Sequence, residues 1–214
     1  MKKTLAIALA LLMLCSTAAL AELTSTQRYN INLFLSNFTE QDFCYHEQYF
    51  DSTNYDTAQL TEFAIEHCWF NRQNRLEWGD YFNYNNVRLP ESQIAPVVEK
   101  YFGLRIKPNH NLQYIDYKNG YYYWEETGGH TSGGFACLNE VWDQSGGYYC
   151  VSFDVFGMGS DWDNDVCYYT TAEAERHYPR ESWEHFSGEA VIYVGKSGLN
   201  DRSDWRLDSY IYYH

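Results

Sequence analysis

Tyr114-Ile115-Asp116-Tyr117-Lys118-Asn119-Gly120-Tyr121-Tyr122-Tyr123-Trp124-Glu125-Glu126 is the stretch on which the fold class turns. Two β-favouring, aromatic-rich runs flank Asn119-Gly120, and Asn-Gly between such runs signals a two-residue hairpin turn. Strands are therefore predicted over 114–117 and 121–126. Downstream, 135–142 and 148–156 read as a second hairpin about the turn 143–147, and further strands are expected over 166–170, 190–195 and 205–213. That makes about seven strands in sequence, joined mostly by short turns. A glycine-rich loop spans 127–134, and 171–185 reads as a helical or irregular excursion.

Upstream of residue 112 the pattern is helical. Over 24–38, Ile31, Phe34, Leu35 and Phe38 fit helical spacing, while Tyr29, Ile31, Leu33 and Leu35 fit strand alternation; helix is the preferred reading. The polar run 39–53 reads as a loop. Asp56 caps a second helix, with Gln59 at capping-box spacing, and Leu60, Phe63, Ala64, His67 and Cys68 share one face before the helix ends within 71–74. A third helix is expected over 91–102, with Pro90 at its start and Gly103 at its end; Pro96 is tolerable only if the true start lies a few residues later. Helices followed by a strand meander argue for an α+β domain. The expected organisation is one domain over 22–214, with a helical part over 24–103 and a β part over 111–214. Its helices pack on one face of a curved antiparallel sheet of about seven strands.

The first residues look like an export signal. Lys2 and Lys3 precede an apolar run over 4–14, and Ala19-Leu20-Ala21 is an Ala-x-Ala end. The run is too short to span a bilayer, and cleavage after Ala21 leaves 22–214 outside the cytoplasm, secreted or at the cell surface. Leu14 is large for the position before a lipid-bearing cysteine, so a cleaved leader is preferred to an anchor at Cys15. No later segment is long and apolar enough to span a membrane.

Removing Lys2 and Lys3 from the 15 basic residues leaves 13 against 29 acidic ones, a formal net of −16. Such a surface repels nucleic-acid phosphates and anionic lipid heads, and tolerates cationic partners. The chain carries 21 Tyr, 12 Phe and 7 Trp, enough to fill a core and still leave flat faces for a glycan or protein ligand. Past the leader stand Cys44, Cys68, Cys137, Cys150 and Cys167, an odd number, so at least one is free or joined between chains. A 145–146 turn in the second hairpin sets Cys150 opposite Val141 and leaves Cys137 about 13 Å from Cys150, too far to bridge. Pairing of Cys150 with Cys167 stays open.

Asn32-Leu33-Phe34-Leu35-Ser36-Asn37-Phe38, an N-x-F-L-S-N-F-type motif, together with Tyr101-Phe102-Gly103, resembles a group of uncharacterised exported or membrane-attached proteins of Gram-positive bacteria. The resemblance implies location and a compact domain, and carries over no catalytic residue.

Local chemistry is sparse. Asp161, Asp163 and Asp165 alternate, and calcium takes several hard oxygens in this manner. The EF-hand pattern needs Gly and Glu where Val166 and Ala172 stand, so a solvated, metal-free acidic loop is the preferred reading and no cofactor is required. His67 adjoins Cys68, but neighbours on a helix diverge by about 100°. Cys44 and His46 are close in sequence only. His130 lies in a glycine-rich loop able to close on a ligand. Zinc motifs of the His-Glu-x-x-His or Cys-x-x-Cys type are missing, and His177 and His185 are loosely spaced. The leading expectation is a non-catalytic binding domain with an aromatic-rich sheet face, using Tyr121, Tyr123, Trp124, His130, Trp142 and Trp162. The alternative is a secreted hydrolase working through acidic residues or His130.

Overall fold

Asn119 and Gly120 both take positive φ, 53° and 80°, the requirement of a type I′ turn. They set Lys118 opposite Tyr121 and Tyr117 opposite Tyr122 in the hairpin. The structure, a computed structural model, describes residues 23–40, 49–126, 134–157, 164–178 and 186–213. The leader over 1–21 with Cys15, and Cys44, His46, His130, Asp161, Trp162, Asp163 and His185, lie outside the described residues.

The architecture is α+β, with two antiparallel sheets rather than one. The strands are β1 (Tyr49–Asp51), β2 (Glu77–Trp78), β3 (Val87–Pro90), β4 (Asp116–Lys118), β5 (Tyr121–Trp124), β6 (Gly134–Asp143), β7 (Tyr148–Gly157), β8 (Phe186–Tyr193) and β9 (Arg206–Tyr213). The larger sheet runs β1-β9-β8-β7-β6 and the smaller β2-β3-β5-β4. The expected single sheet of about seven strands thus divides: the first hairpin joins the smaller sheet and the second joins the larger. Three strands also arise inside 24–103, where only helices were expected. β1 and β2 are too short to show any periodicity. In β3, Val87 and Leu89 are fully buried and alternate with Arg88, but four residues are little signal beside a helical region.

Four helices are described: α1 (Ser25–Thr39), α2 (Thr57–Asn71), α3 (Ile94–Phe102) and α4 (Thr171–His177). Thr24 and Gln27 form a capping box on α1, and Asp56 Oδ1 accepts from Ala58 N at 2.8 Å to cap α2. The third helix begins as a single 3-10 turn over Glu91–Gln93, so Pro96 falls in the first turn of α3, where no intrahelical N–H is needed. Gly103 closes α3 at φ 67°. The strand expected over 166–170 is instead a 3-10 turn over Asn164–Tyr168, and Thr170 and Glu173 then form the capping box of α4.

The helix reading of 24–38 holds and the strand reading does not; the alternation arises because α1 is buried on two sides. Ile31, Phe34, Leu35 and Phe38 enter the main core, which spans both sheets, while Tyr29 and Leu33 pack against a smaller cluster of Phe135, Cys137, Phe156, Val166, Cys167 and Ala174. The main core joins the helices through rings: Phe38 lies 5.2 Å from Phe63 and 5.6 Å from Phe102, and Phe102 lies 5.0 Å from Phe50 of β1. Edge and stacked pairs at such separations add to area burial.

The second hairpin differs in register from expectation. A three-residue turn, with Ser145, Gly146 and Gly147 all at positive φ, sets Cys150 opposite Trp142 rather than Val141, and a bulge at Asn139 restores Cys137 opposite Asp154. Cys68, Cys137, Cys150 and Cys167 are buried free thiols. No described helix is long and apolar enough to cross a membrane.

Candidate functional site: an aromatic, acidic slot

The face of α2 turned to the main core carries the predicted Leu60, Phe63, Ala64, His67 and Cys68. A second stripe, Glu62, Ile65, Glu66, Trp69 and Phe70, follows the same helical spacing on another side. It forms one wall of a pocket of about 450 Å3. Gln113, Tyr114 and Ile115, ahead of β4, make a second wall, and Trp124 and Glu125 at the end of β5 complete it.

The rings of this slot are organised around Trp69. It lies 6.2 Å from Trp124, edge to face, and 5.4 Å from Trp78, which is 56% exposed on β2. Trp124 is only 8% exposed, and Ile65 is buried beside it. Tyr114 is 83% exposed, its hydroxyl held by Gln113 Nε2 at 2.8 Å. Such a residue offers a ring to a ligand without first leaving the core. Three carboxylates, Glu62, Glu66 and Glu125, share the lining, and among the described residues no lysine or arginine does. Aromatic faces attract cations through the ring quadrupole, and the carboxylates add charge of the same preference.

Of the described residues expected to bind, Trp124 alone reaches this slot. Strand alternation turns Tyr121 and Tyr123 to the opposite face of the small sheet. There Tyr123 is 6% exposed beneath Tyr81 and Phe82, at 5.3 and 4.8 Å. Arg88 lies over the rings of Tyr81 and Tyr121, at 4.9 and 4.3 Å, and Lys118 over Phe82 at 4.7 Å. These faces already hold the protein's own cations. Trp142 is half-buried beyond the β6 bulge, and Asp165 is exposed in its 3-10 turn. Among the described residues, no three His, Cys, Asp or Glu side chains converge in a metal-binding group. Trp69 and Tyr114 of the lining went unread in the sequence, as did Trp78 beside Trp69. The available signal was the continuation of α2 as Glu62-x-x-Ile65-Glu66-x-x-Trp69-Phe70, an apolar stripe on a helix that already had one.

The nucleophile candidates are quiet. Burial pushes the Cys68 thiol up to about 11, and His67 is held down to about 3 by burial, with Arg72 and Lys100 adding to the effect. His67 is therefore neutral, its Nδ1 3.3 Å from the Asn71 side-chain amide. Burial raises Cys137, Cys150 and Cys167 likewise. A carboxylate and a histidine do meet elsewhere: Glu91 accepts from Tyr117 Oη, and its Oε1 lies 3.0 Å from His110 Nε2, with the His110 ring stacked on Tyr117 at 3.6 Å. Glu91 is held below the ordinary carboxylate range, first by the Tyr117 hydroxyl and then by His110.

Comparison with known proteins finds no matching family model, no matching curated protein and no matching solved structure.

Proposed function

We propose that the protein is a non-catalytic binding domain that works outside the cytoplasm, and that its slot receives a basic side chain or other organic cation presented by a protein ligand. The observation that carries this reading is the lining itself: Trp69, Tyr114 and Trp124 beside Glu62, Glu66 and Glu125. A guanidinium or ammonium group gains from ring faces and carboxylates together, and its apolar stem covers Ile65 and Ile115. The formal net charge of −16 that remains when Lys2 and Lys3 leave with the leader (13 basic against 29 acidic residues) steers a basic partner toward the domain. Export rests on the leader over 1–21 and on the resemblance to exported or membrane-attached proteins. Recovery of the protein outside the cytoplasm with Glu22 as its first residue is the expected result.

Titration of the exported protein with Arg- and Lys-bearing peptides, beside a glycan array, tests the reading. Saturable peptide binding that weakens with salt and falls by about tenfold or more in Trp69→Ala supports it. Salt-insensitive binding of a sugar in the slot replaces the cationic ligand by a glycan. Silence in both assays removes the slot as a binding site.

A further inference from the structure

A second basin lies by the C-terminal end of α2, with chemistry opposite to that of the slot. Its volume is about 620 Å3. Asn30, Leu33, Phe34 and Asn37, one stripe of α1, form a wall; Asn71 at the end of α2 and Lys100 and Tyr101 at the end of α3 form another. The loop between β8 and β9 closes it with Asn200, Asp201, Arg202, Ser203 and the buried Trp205.

Cations gather here in a protein where carboxylates outnumber them, 29 to 15. Lys100 and Arg202 line the basin. Arg72, next after Asn71, is close enough for its charge, with that of Arg202, to act on Lys100. Among the described residues none of the three makes an ion pair. Lys100 Nζ reaches only the Tyr101 hydroxyl, at 3.4 Å, and that hydroxyl donates to Asn37 Oδ1 at 3.0 Å. The Arg202 guanidinium lies 5.7 Å from the ring centre of Tyr29.

The nearby carboxylates are turned to other uses. Asp201, the one carboxylate among the basin's described lining residues, accepts from Ser203 N through Oδ1 at 2.9 Å, and Glu40 Oε1 accepts from the Asn71 amide at 2.8 Å. The C-terminal ends of α2 and α3 attract Arg72 and Lys100 with roughly half a charge each. Arg202, on a loop, has no such reason to stand here. Lys100 sits below the ordinary lysine range, first from partial desolvation of its side chain and then from the charges of Arg72 and Arg202. An anion relieves that mutual repulsion.

We infer that this basin is an oxyanion site, taking a phosphate, sulfate or carboxylate group between Lys100 and Arg202. Both bind oxyanions through charged N–H donors, and Arg202 can do so with two parallel bonds. The site is independent of the slot, since no lining residue is shared.

The test is calorimetric titration of the exported full chain, at low ionic strength, with inorganic phosphate, sulfate and acetate separately, repeated on Lys100→Gln, Arg202→Gln and the distant control Lys118→Gln. Saturable binding of at least one anion is expected, weakened about tenfold or more by each basin variant and unchanged in Lys118→Gln, because a charged hydrogen bond is lost only in the first two. Lys100 is exposed on its helix, so Lys100→Gln keeps the fold, and a far-ultraviolet spectrum checks that both variants are folded. Absence of saturable binding by all three anions, or binding that both basin variants leave intact, overturns the assignment.

Discussion

Asn32 Oδ1 on α1 accepts a hydrogen bond from Leu138 N on β6 at 2.8 Å, and the same side chain donates through Nδ2 to Cys167 O and Tyr169 O at 2.9 and 3.1 Å. One buried amide thus ties a helix, a sheet edge and a 3-10 turn. It does not act alone. Ser36 Oγ accepts from Ala136 N at 3.0 Å, Thr39 Oγ1 donates to Gly134 O at 2.8 Å, and an Arg28 guanidinium N–H donates to Leu138 O at 3.3 Å. β6 is an edge strand, and alternate residues of an edge strand leave N–H and C=O groups unpaired. Helix α1 supplies side chains to those groups at one or two helical turns' spacing, so it closes the sheet as a further strand would.

Asn32→Leu should therefore be strongly destabilising. It removes no volume worth noting, but leaves the Leu138 N–H and two carbonyls without partners in the interior. Each orphaned buried group costs about 1–3 kcal/mol, so a total on the order of 3–5 kcal/mol is expected from urea unfolding. Ser36→Ala, which orphans one N–H, should cost roughly 1–2 kcal/mol. Near-equal, small losses in the two variants would refute the closure.

The same residues show where sequence reading stopped. Asn32, Ser36 and Asn37 belong to the motif that carried the resemblance, yet a motif gives no partner: Asn32 and Ser36 bond about a hundred residues away on β6 and beyond, and Asn37 meets Tyr101 of α3. Local signals held up: the Asn119-Gly120 turn, the Asp56 cap, and the displacement of the third helix by Pro96 were all legible, because each is decided within a few residues. Sheet membership was not. The two hairpins look alike in sequence, and only β3 and β2, too short to read, reveal that the first hairpin belongs to a separate sheet. At the slot, Trp124 was legible as an aromatic on a strand. Its neighbour Trp69 was missed because α2 already had an apolar face sufficient to explain a helix.

If the slot is a ligand site, its rings differ in what they cost. Tyr114 is exposed, so Tyr114→Ala should leave thermal stability unchanged while weakening ligand binding. Trp124 is buried, so Trp124→Ala should lose about 3–5 kcal/mol of stability as well as binding. Glu62→Gln combined with Glu66→Gln should weaken a cationic peptide and flatten the salt dependence of its affinity. A charge-neutral double variant that keeps the full salt dependence would show that these two carboxylates do not face the ligand.

His67 makes stability depend on acidity. In the folded protein it stays neutral down to about pH 3, because burial and then Arg72 and Lys100 oppose its protonation. In the unfolded chain it takes a proton near pH 6.5. Below that pH the unfolded state binds a proton the native state refuses, so stability is full above about 6.5 and falls as pH drops toward 3. A few kcal/mol are at stake over that window. His67→Phe should flatten this part of the stability curve. Equal slopes in the parent and the variant, from denaturant titrations at pH 4 to 7, would remove His67 from the account. Occupation of the oxyanion basin should soften the effect, since an anion offsets the field of Lys100 that bears on the ring.

Glu91 acts in the opposite chemical sense and pulls in the same direction. Tyr117 and His110 both donate to its carboxylate, and Tyr122 Oη donates to Asn109 O at 2.9 Å, so the segment between α3 and β4 is pinned to the small sheet beside the slot's second wall. The Glu91 pKa is depressed, so its contribution is present above the unfolded value near 4.3 and is lost as pH falls through the lower folded value. Tyr117→Phe deletes the larger of the two causes. It should lower stability slightly near neutrality and raise the Glu91 pKa toward the ordinary range, readable by carbon-detected titration of the carboxyl. It should also speed amide exchange of Asn111, next to the pinned His110, because the strap it anchors carries on to Gln113, Tyr114 and Ile115. If exchange there is unchanged while the Glu91 pKa rises, the clip orders only itself, and the slot's outer wall must be held by its own contacts with Trp69 and Trp124.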